Sequence, residues 1–334
     1  MGAAEAATAQ RSDVDLDTLL EIYRRTMLIH KTDERFRSML MSGALRLVYY
    51  PVRGQEVVSA AMMTALRPDD YLVTTYRGVH DQLAKGIPLK DLWAEFTGKA
   101  TGTCKGKGGP MHITDPATGV MVTTGVVGSG LPIANGLALS SVLNKTGRVT
   151  VVCFGDGASN IGAFHEALNM ASVWKLPVVF CCQNNRYGEH TPYAQSTSAK
   201  QIIDRAPGYS MPGVRVDGND PVAMYHAAKE AVDRARAGDG PTLLEAMTYR
   251  MLGHTFGASY AYVPKALQEE AAREDPVPRF RKRLLDMQVS EAKLAEIETK
   301  IDQDLEEAVQ YALASPYPDL IELRRDVLAK EIAA

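Results

Sequence analysis

RVTVVCFGDGASN, Arg148 to Asn160, and QNNRYG, Gln183 to Gly188, have one feature in common: an apolar run stops abruptly in polar and glycine residues. The runs themselves, VTVVCF and LPVVFCC, are short, continuous and rich in β-branched residues, which predicts strands buried on both faces. Between them NIGAFHEALNMASVW has helical spacing. GVRVDG and TLLEAMTY add two strands around the helix PVAMYHAAKEAVDRARA, with Asp220 as its expected N-cap and Pro221 in the first helical position. Strands alternating with helices predict an α/β fold, a parallel sheet covered by helices on both faces.

Working outward, Tyr71 to Thr75 reads as another strand, followed by the polar turn TYRG and a helix. Residues 14–42 read as an amphipathic helix through Leu16, Leu19, Leu20, Tyr23, Met27 and Ile29. TGKATGTCKGKGGP, about 97–110, is too glycine-dense for regular structure and reads as loop. GVMVTTGVVGSG follows, and an Ala/Leu-rich helix starts near Leu131. After Tyr249 the character changes: GHTFGASYAYVP reads as loop, and residues 266–334 as charged and helical. The expected division is an N-terminal arm and helix at 1–40, an α/β domain at 41–250, an active-site loop at 251–275 and a helical C-terminal extension at 276–334.

Composition narrows the function classes. The 334 residues are 46% hydrophobic with a net charge of -3, enough for a large core and too balanced for a nucleic-acid binder. Cys104, Cys153, Cys181 and Cys182 have no metal-ligand spacing, and the last three sit in apolar runs as buried thiols. No run is long enough to cross a bilayer, and the start, MGAAEAATAQRSDVD, lacks the pattern of a signal or transit peptide. A cytoplasmic protein with a frayed N-terminus is expected.

In an open parallel sheet, ligands collect at the carboxyl ends of the strands. GDG leaves one such end and NNRYG the next, so Asp156 and Asn185 are expected as spatial neighbours. A carboxylate, an amide oxygen and a free carbonyl suit Mg²⁺, which keeps places for phosphate oxygens and water. The glycines beside Asp156 let backbone amides approach phosphates, and the following helix adds its positive end. Taken singly, GDG reads more readily as a tight turn and NN as a loop cap. Their occurrence at successive strand ends favours a Mg²⁺-diphosphate site.

GDGASN with NIGAFHEALNMASVWKLPVVFCCQNNRYG resembles the thiamine diphosphate fingerprint, and more closely the α subunit of the first component of 2-oxo acid dehydrogenase complexes. That family includes pyruvate, branched-chain 2-oxo acid and acetoin dehydrogenase α chains. GQE at 54–56, TYRG, KGKGGPMHI, YRMLGH and DPVPRFRKRLLD carry the resemblance from about residue 20 onward. It implies a thiamine diphosphate-binding fold with helical N- and C-terminal extensions. It also implies that Asp156, Asn185 and the carbonyl of Tyr187 ligate Mg²⁺, and that Gly157 and Ala158 offer amides to the diphosphate. Tyr76, Arg77 and Arg250 would bind diphosphate oxygens, Arg being suited to two-point hydrogen bonds. Gly125 and Val127 would flank the cofactor's middle, with Val127 as an apolar wedge. His254, with Tyr50, would face the substrate; His112 is expected to be structural, and His80 and His165 carry little weight.

The alternation accounts for one α/β domain, the diphosphate half. The pyrimidine half and its Glu are therefore expected on a β subunit, in a heterotetramer of two α and two β chains. The implied reaction is oxidative decarboxylation of a 2-oxo acid with acyl transfer to lipoamide on an acyltransferase core. An acetoin dehydrogenase α subunit is the alternative. A transketolase-type half enzyme and a non-catalytic cofactor-binding chain stand further off. Four departures bear on the substrate. Tyr50 and Val79 stand where pyruvate-type chains usually place His, Leu252 replaces the first His of HGH, and the 253–264 loop lacks the usual Asp-Pro and Arg. Fewer imidazoles would favour a larger or less polar acyl chain.

Overall fold

The computed structural model describes residues 14–326. The expected frayed N-terminus lies largely outside them. Helix α1 (Leu16–Met41) matches the periodic segment and is capped by Asp15, whose carboxylate accepts the Thr18 N–H at 2.8 Å. Next come α2 (Glu56–Thr64), β1 (Tyr71–Thr75), α3 (Val79–Lys85), α4 (Leu89–Phe96), β2 (Val120–Thr124), α5 (Gly130–Leu143), β3 (Thr150–Gly155), α6 (Gly162–Val173) and β4 (Val178–Asn184). A two-residue ribbon, β5 (Tyr187–Gly188) with β6 (Thr191–Pro192), leads into the single turn α7 (Tyr193–Ser196). Strand β7 (Gly213–Asp217), α8 (Pro221–Arg236), β8 (Thr242–Met247), α9 (Lys265–Arg273), α10 (Pro276–Asp286) and α11 (Glu291–Ala314) follow. Asp220 caps α8 as its sequence predicts, accepting the Val222 and Ala223 N–H groups at 2.9 Å.

Six strands form one parallel sheet in the order β2-β1-β3-β4-β8-β7. The chain leaves β1 for β2 on one side and then returns to place β3 on the other. The order therefore reverses at β1, and a crevice opens beyond the carboxyl ends of β1 and β3. Gly155 lies opposite Gln183 in the β3–β4 register, so Asp156 and the asparagines emerge side by side.

Residue parity decides which face each strand residue covers. Val151, Cys153, Val179 and Cys181 enter the core shared with α1, α2, α8 and α11. Val152, Phe154, Val178, Phe180 and Cys182 enter the core under α5 and α6. Cys153, Cys181 and Cys182 are buried free thiols, and Cys104 is half-buried. In the first core Phe36 stacks on Trp93 at 3.9 Å and on Phe96 at 4.4 Å, tying α1 to α4.

One strand goes unread in the sequence and two expectations need correcting. VMVTT, left unassigned above, is a strand, β2, pairing with β1 at the sheet edge; its neighbouring glycines hide its β pattern. Among the described residues the C-terminal segment is α-helical to Ala314, after which Leu320–Leu323 forms a 3-10 turn. The helix after GDG does not reach the strand end: Asp156–Asn160 is a 3-10 turn and α6 starts at Gly162. The amides facing the strand end thus belong to that turn.

The Gly-rich run is a loop, as expected, apart from a 3-10 turn at Gly109–Met111. Its amides are not free for a phosphate. The fully buried Glu95 carboxylate accepts four of them, Cys104 and Gly106 on one oxygen and Gly108 and Gly109 on the other, all at 2.8–2.9 Å. Lys105 and Lys107 reach instead to Glu322 and Asp326.

Candidate active site

The crevice is a cleft of about 310 Å³. Thr75, Tyr76 and Arg77 come from the end of β1, Gly155 to Ala158 from β3, Asn185 and Tyr187 to Glu189 from β4, and Arg250 and His254 from β8. Gln55, Val127 and Gln183 complete it. The two turns that opened the sequence reading meet here. A Cβ on Gly157 would stand 3.3 Å from the Cα of Gly188, and the reverse holds, so these backbones pack closely and a side chain on either would be crowded.

The electrostatics of the cleft are unbalanced. Asp156 is 1% exposed, its Oδ2 has no hydrogen-bond partner, and burial pushes its carboxyl up to about 7. Arg77 and Arg250 are buried as well, yet neither meets a carboxylate among the described residues. Arg77 donates to the Pro51 carbonyl at 2.8 Å, the His254 carbonyl at 2.9 Å and His254 Nδ1 at 3.2 Å. Arg250 donates to the carbonyls of Glu189 at 2.6 Å and Tyr187 at 3.4 Å, and to the Tyr262 hydroxyl. Burial, then the nearby Arg250, lowers Arg77 to about 10. Buried charges without counter-charges are costly. A ligand combining a metal cation for Asp156 with a polyanion for the arginines would relieve all three. The donor set therefore fits a Mg²⁺-diphosphate group.

Asn185 is oriented by Gln55, whose Oε1 accepts its Nδ2–H at 3.0 Å. Its Oδ1 has only a long 3.3 Å contact from the Tyr187 N–H. The Gln55 Nε2 is itself buried without a partner. Gln55 was missing from the sequence-derived site, although the GQE motif that contains it was visible. Glu189 and Gln183 were also missed. Gln183, next to last in β4, links the cleft to a buried network, bonding His80 through Oε1 and Asp81 through Nε2, both at 2.8 Å. That gives His80 a positioning contact that its sequence context did not indicate.

His254 sits at the mouth. Because its Nδ1 accepts from Arg77, the ring proton lies on Nε2. Burial, followed by Arg77 and Arg250, lowers its pKa to about 4, so the ring is neutral at physiological pH.

Tyr50 and Gly125 do not line the cleft. Tyr50 stands behind it, its ring 4.5 Å from Tyr76 and 5.5 Å from His254. It is held there because buried Asp33 accepts from the Tyr49 hydroxyl and the Val52 N–H, fixing the segment around it. Gly125 faces Met111 and His112, which stand 3.2 and 3.5 Å from where its Cβ would be. Val79 is buried at the start of α3, and Leu252 also lies outside the lining, so neither replaces an imidazole in the cleft itself. His165 is exposed and bonds Tyr209. No helix among the described residues is long and apolar enough to cross a membrane.

The family model for the dehydrogenase E1 component matches residues 24–321. The chain is 42% identical over 309 residues to the acetoin:2,6-dichlorophenolindophenol oxidoreductase α subunit of Bacillus subtilis, covering 92% of each chain. It is 36% identical to the pyruvate dehydrogenase E1 α subunit of Porphyra purpurea, covering 93% of each. To the acetoin:2,6-dichlorophenolindophenol oxidoreductase α subunit of Cupriavidus necator it is 36% identical, over 94% of this chain and 95% of that one. With the fold and cleft described above, these matches make the chain a member of the dehydrogenase E1 component family, on its α-subunit side, and so one of the thiamine diphosphate-dependent oxidoreductases.

Proposed function

We propose that this chain is the α subunit of an acetoin-cleaving dehydrogenase, passing the acyl group to lipoamide, with a 2-oxo acid as the second candidate substrate. The observation that carries the cofactor assignment is the cleft's uncompensated charge: one buried carboxylate without a partner beside two buried guanidiniums without a carboxylate. Asp156, the Asn185 amide oxygen and the Tyr187 carbonyl would hold Mg²⁺. Gly157, Ala158, Tyr76, Arg77 and Arg250 would hold the diphosphate, with Val127 and Gly125 alongside the cofactor's middle. When bound, thiamine diphosphate supplies the electron sink for breaking a carbon–carbon bond next to a carbonyl.

This chain's own part is binding and orientation. Neutral His254 would donate its Nε2–H to a substrate oxygen, while Arg77 holds the ring in that tautomer. Tyr50 would shape the substrate end from behind Tyr76 and His254.

Two features favour acetoin over the 2-oxo acid that the residue motifs alone suggested first. The relative at 42% identity is an acetoin oxidoreductase α subunit, against 36% for a pyruvate-type chain. The substrate end of this chain also presents Tyr76 and a neutral imidazole, and both buried cations are assigned to the diphosphate, which suits an uncharged substrate. A 2-oxo acid remains the second reading because pyruvate-type relatives align over almost the whole chain.

The cofactor's pyrimidine half needs a second α/β domain, which we assign to a β subunit in an assembly of two α and two β chains, docked on a lipoyl acyltransferase core. Exposed apolar residues on the packed helices α5 and α6, among them Ile133, Leu143, Met170 and Val173, fit a surface that a partner covers. The test is to produce the chain with its β subunit and follow reduction of 2,6-dichlorophenolindophenol with acetoin, pyruvate and branched 2-oxo acids. Acetoin should give the highest kcat/KM. Preference for any 2-oxo acid by tenfold or more, about 1.4 kcal/mol, overturns the substrate assignment.

A further inference from the structure

Beside the cleft, three side chains from separate segments close on one another. Arg186 Nη2 donates to the Tyr249 hydroxyl at 2.9 Å, and its guanidinium lies 4.4 Å from the centre of the Tyr249 ring. The Tyr249 hydroxyl donates in turn to Glu270, which also meets Arg186 Nη1 at 3.5 Å. Each residue occupies a telling place. Arg186 stands between Asn185 and Tyr187, the pair proposed to face the metal, and its backbone is left-handed at φ 73°, a costly conformation for a side-chain-bearing residue. Tyr249 immediately precedes Arg250. Glu270 lies on α9, the helix that ends the His254 loop.

An exposed ion pair is ordinarily worth little. Here the rest of the attachment is weak, because α9 buries a single residue, Ala271. The polar contacts of Gln268 stay within its own loop, reaching the carbonyls of Tyr260 and Val263. The clasp is thus the main polar tie between α9 and the body. It holds its protonation state across the physiological range: Tyr249 is pushed up to about 12 by burial and then by Glu270, and Glu270 is lowered first by the Tyr249 hydroxyl.

We propose that Glu270, acting through Tyr249 and Arg186, is a positioning residue that couples placement of the His254 loop and α9 to the turn that grips the cofactor. The proposal rests on the cofactor reading above. Cofactor binding then favours the closed loop, and the closed loop favours cofactor binding by the same factor.

The test uses the complex with its β subunit and Mg²⁺-thiamine diphosphate as probe, comparing the unmodified chain with Glu270→Gln, Tyr249→Phe and the double variant. Calorimetry gives the cofactor affinity, and chymotryptic cleavage at Phe256, Tyr260 and Tyr262 reports loop exposure. Glu270→Gln should weaken cofactor binding about five- to tenfold, a coupling typical of linked sites. It should raise loop cleavage at subsaturating cofactor, with kcat at saturating cofactor within about twofold. The double variant should lose little beyond Glu270→Gln, since both act through one contact. Unchanged cofactor affinity and loop cleavage in Glu270→Gln, or fully additive losses in the double variant, overturn the coupling. If the unmodified complex shows no Mg²⁺-dependent binding, the reading of the cleft itself fails, and the clasp with it.

Discussion

Asp156→Asn should stabilise the cofactor-free protein while abolishing its Mg²⁺-dependent cofactor binding. The carboxyl sits at about 7 in the folded chain against an ordinary 3.8, chiefly because it is buried. Because the folded value is the higher one, the group costs nothing below about pH 4, and its cost grows as pH rises towards 7. The gap corresponds to a ceiling of about 4 kcal/mol at neutral pH. The asparagine amide brings a buried donor of its own, which costs about 1–3 kcal/mol if unsatisfied. A net gain of about 1–3 kcal/mol is therefore expected at pH 7.5, seen as a rise of several degrees in Tm. Thermal unfolding of the cofactor-free complex at pH 7.5 and pH 5 measures it. At pH 5 the cost of the native carboxyl falls to under about 2 kcal/mol, so the advantage of the variant should shrink or vanish. Adding Mg²⁺ and thiamine diphosphate should reverse the order, raising Tm for the native chain only. An Asp156→Asn protein that is less stable at pH 7.5, or whose advantage does not change with pH, would refute the claim that this carboxylate is held ionised only for a cation.

Other perturbations have equally direct readouts. Glu95→Ala leaves four loop amides without their acceptor and should cost about 3–5 kcal/mol in urea unfolding, a buried donor left unsatisfied costing about 1–3 kcal/mol; a loss under 1 kcal/mol would mean water replaces the carboxylate. His254→Ala should lower kcat by about 10²-fold or more while cofactor affinity, measured calorimetrically, stays nearly unchanged. Gly157→Val should weaken cofactor binding more than tenfold and also lower Tm, because its side chain would crowd the contact with Gly188; normal binding would place the diphosphate elsewhere.

Much of the architecture could be read from local pattern. The continuous apolar runs of β3 and β4, the Asp220–Pro221 start of α8 and the polar breaks after each strand are properties of adjacent residues, and each stands where its pattern implies. Strand β2 was missed because its five residues are bracketed by glycines and pair only at an edge, where the partner strand supplies what the pattern lacks. The glycine-dense loop could be read as irregular. That its amides are taken by Glu95, beginning nine residues upstream, could not.

What the sequence determined by itself is the alternation of elements, the chemistry at the strand ends and the family motifs those ends carry. Only the tertiary structure decided that Gly157 touches Gly188, that Gln55 orients Asn185, that Arg77 and Arg250 meet no carboxylate among the described residues, and that Arg186, Tyr249 and Glu270 meet. The division is physical. Strand and turn preferences act over a few neighbouring residues, whereas burial, charge balance and partner choice arise when residues tens to hundreds of positions apart are brought out of water together.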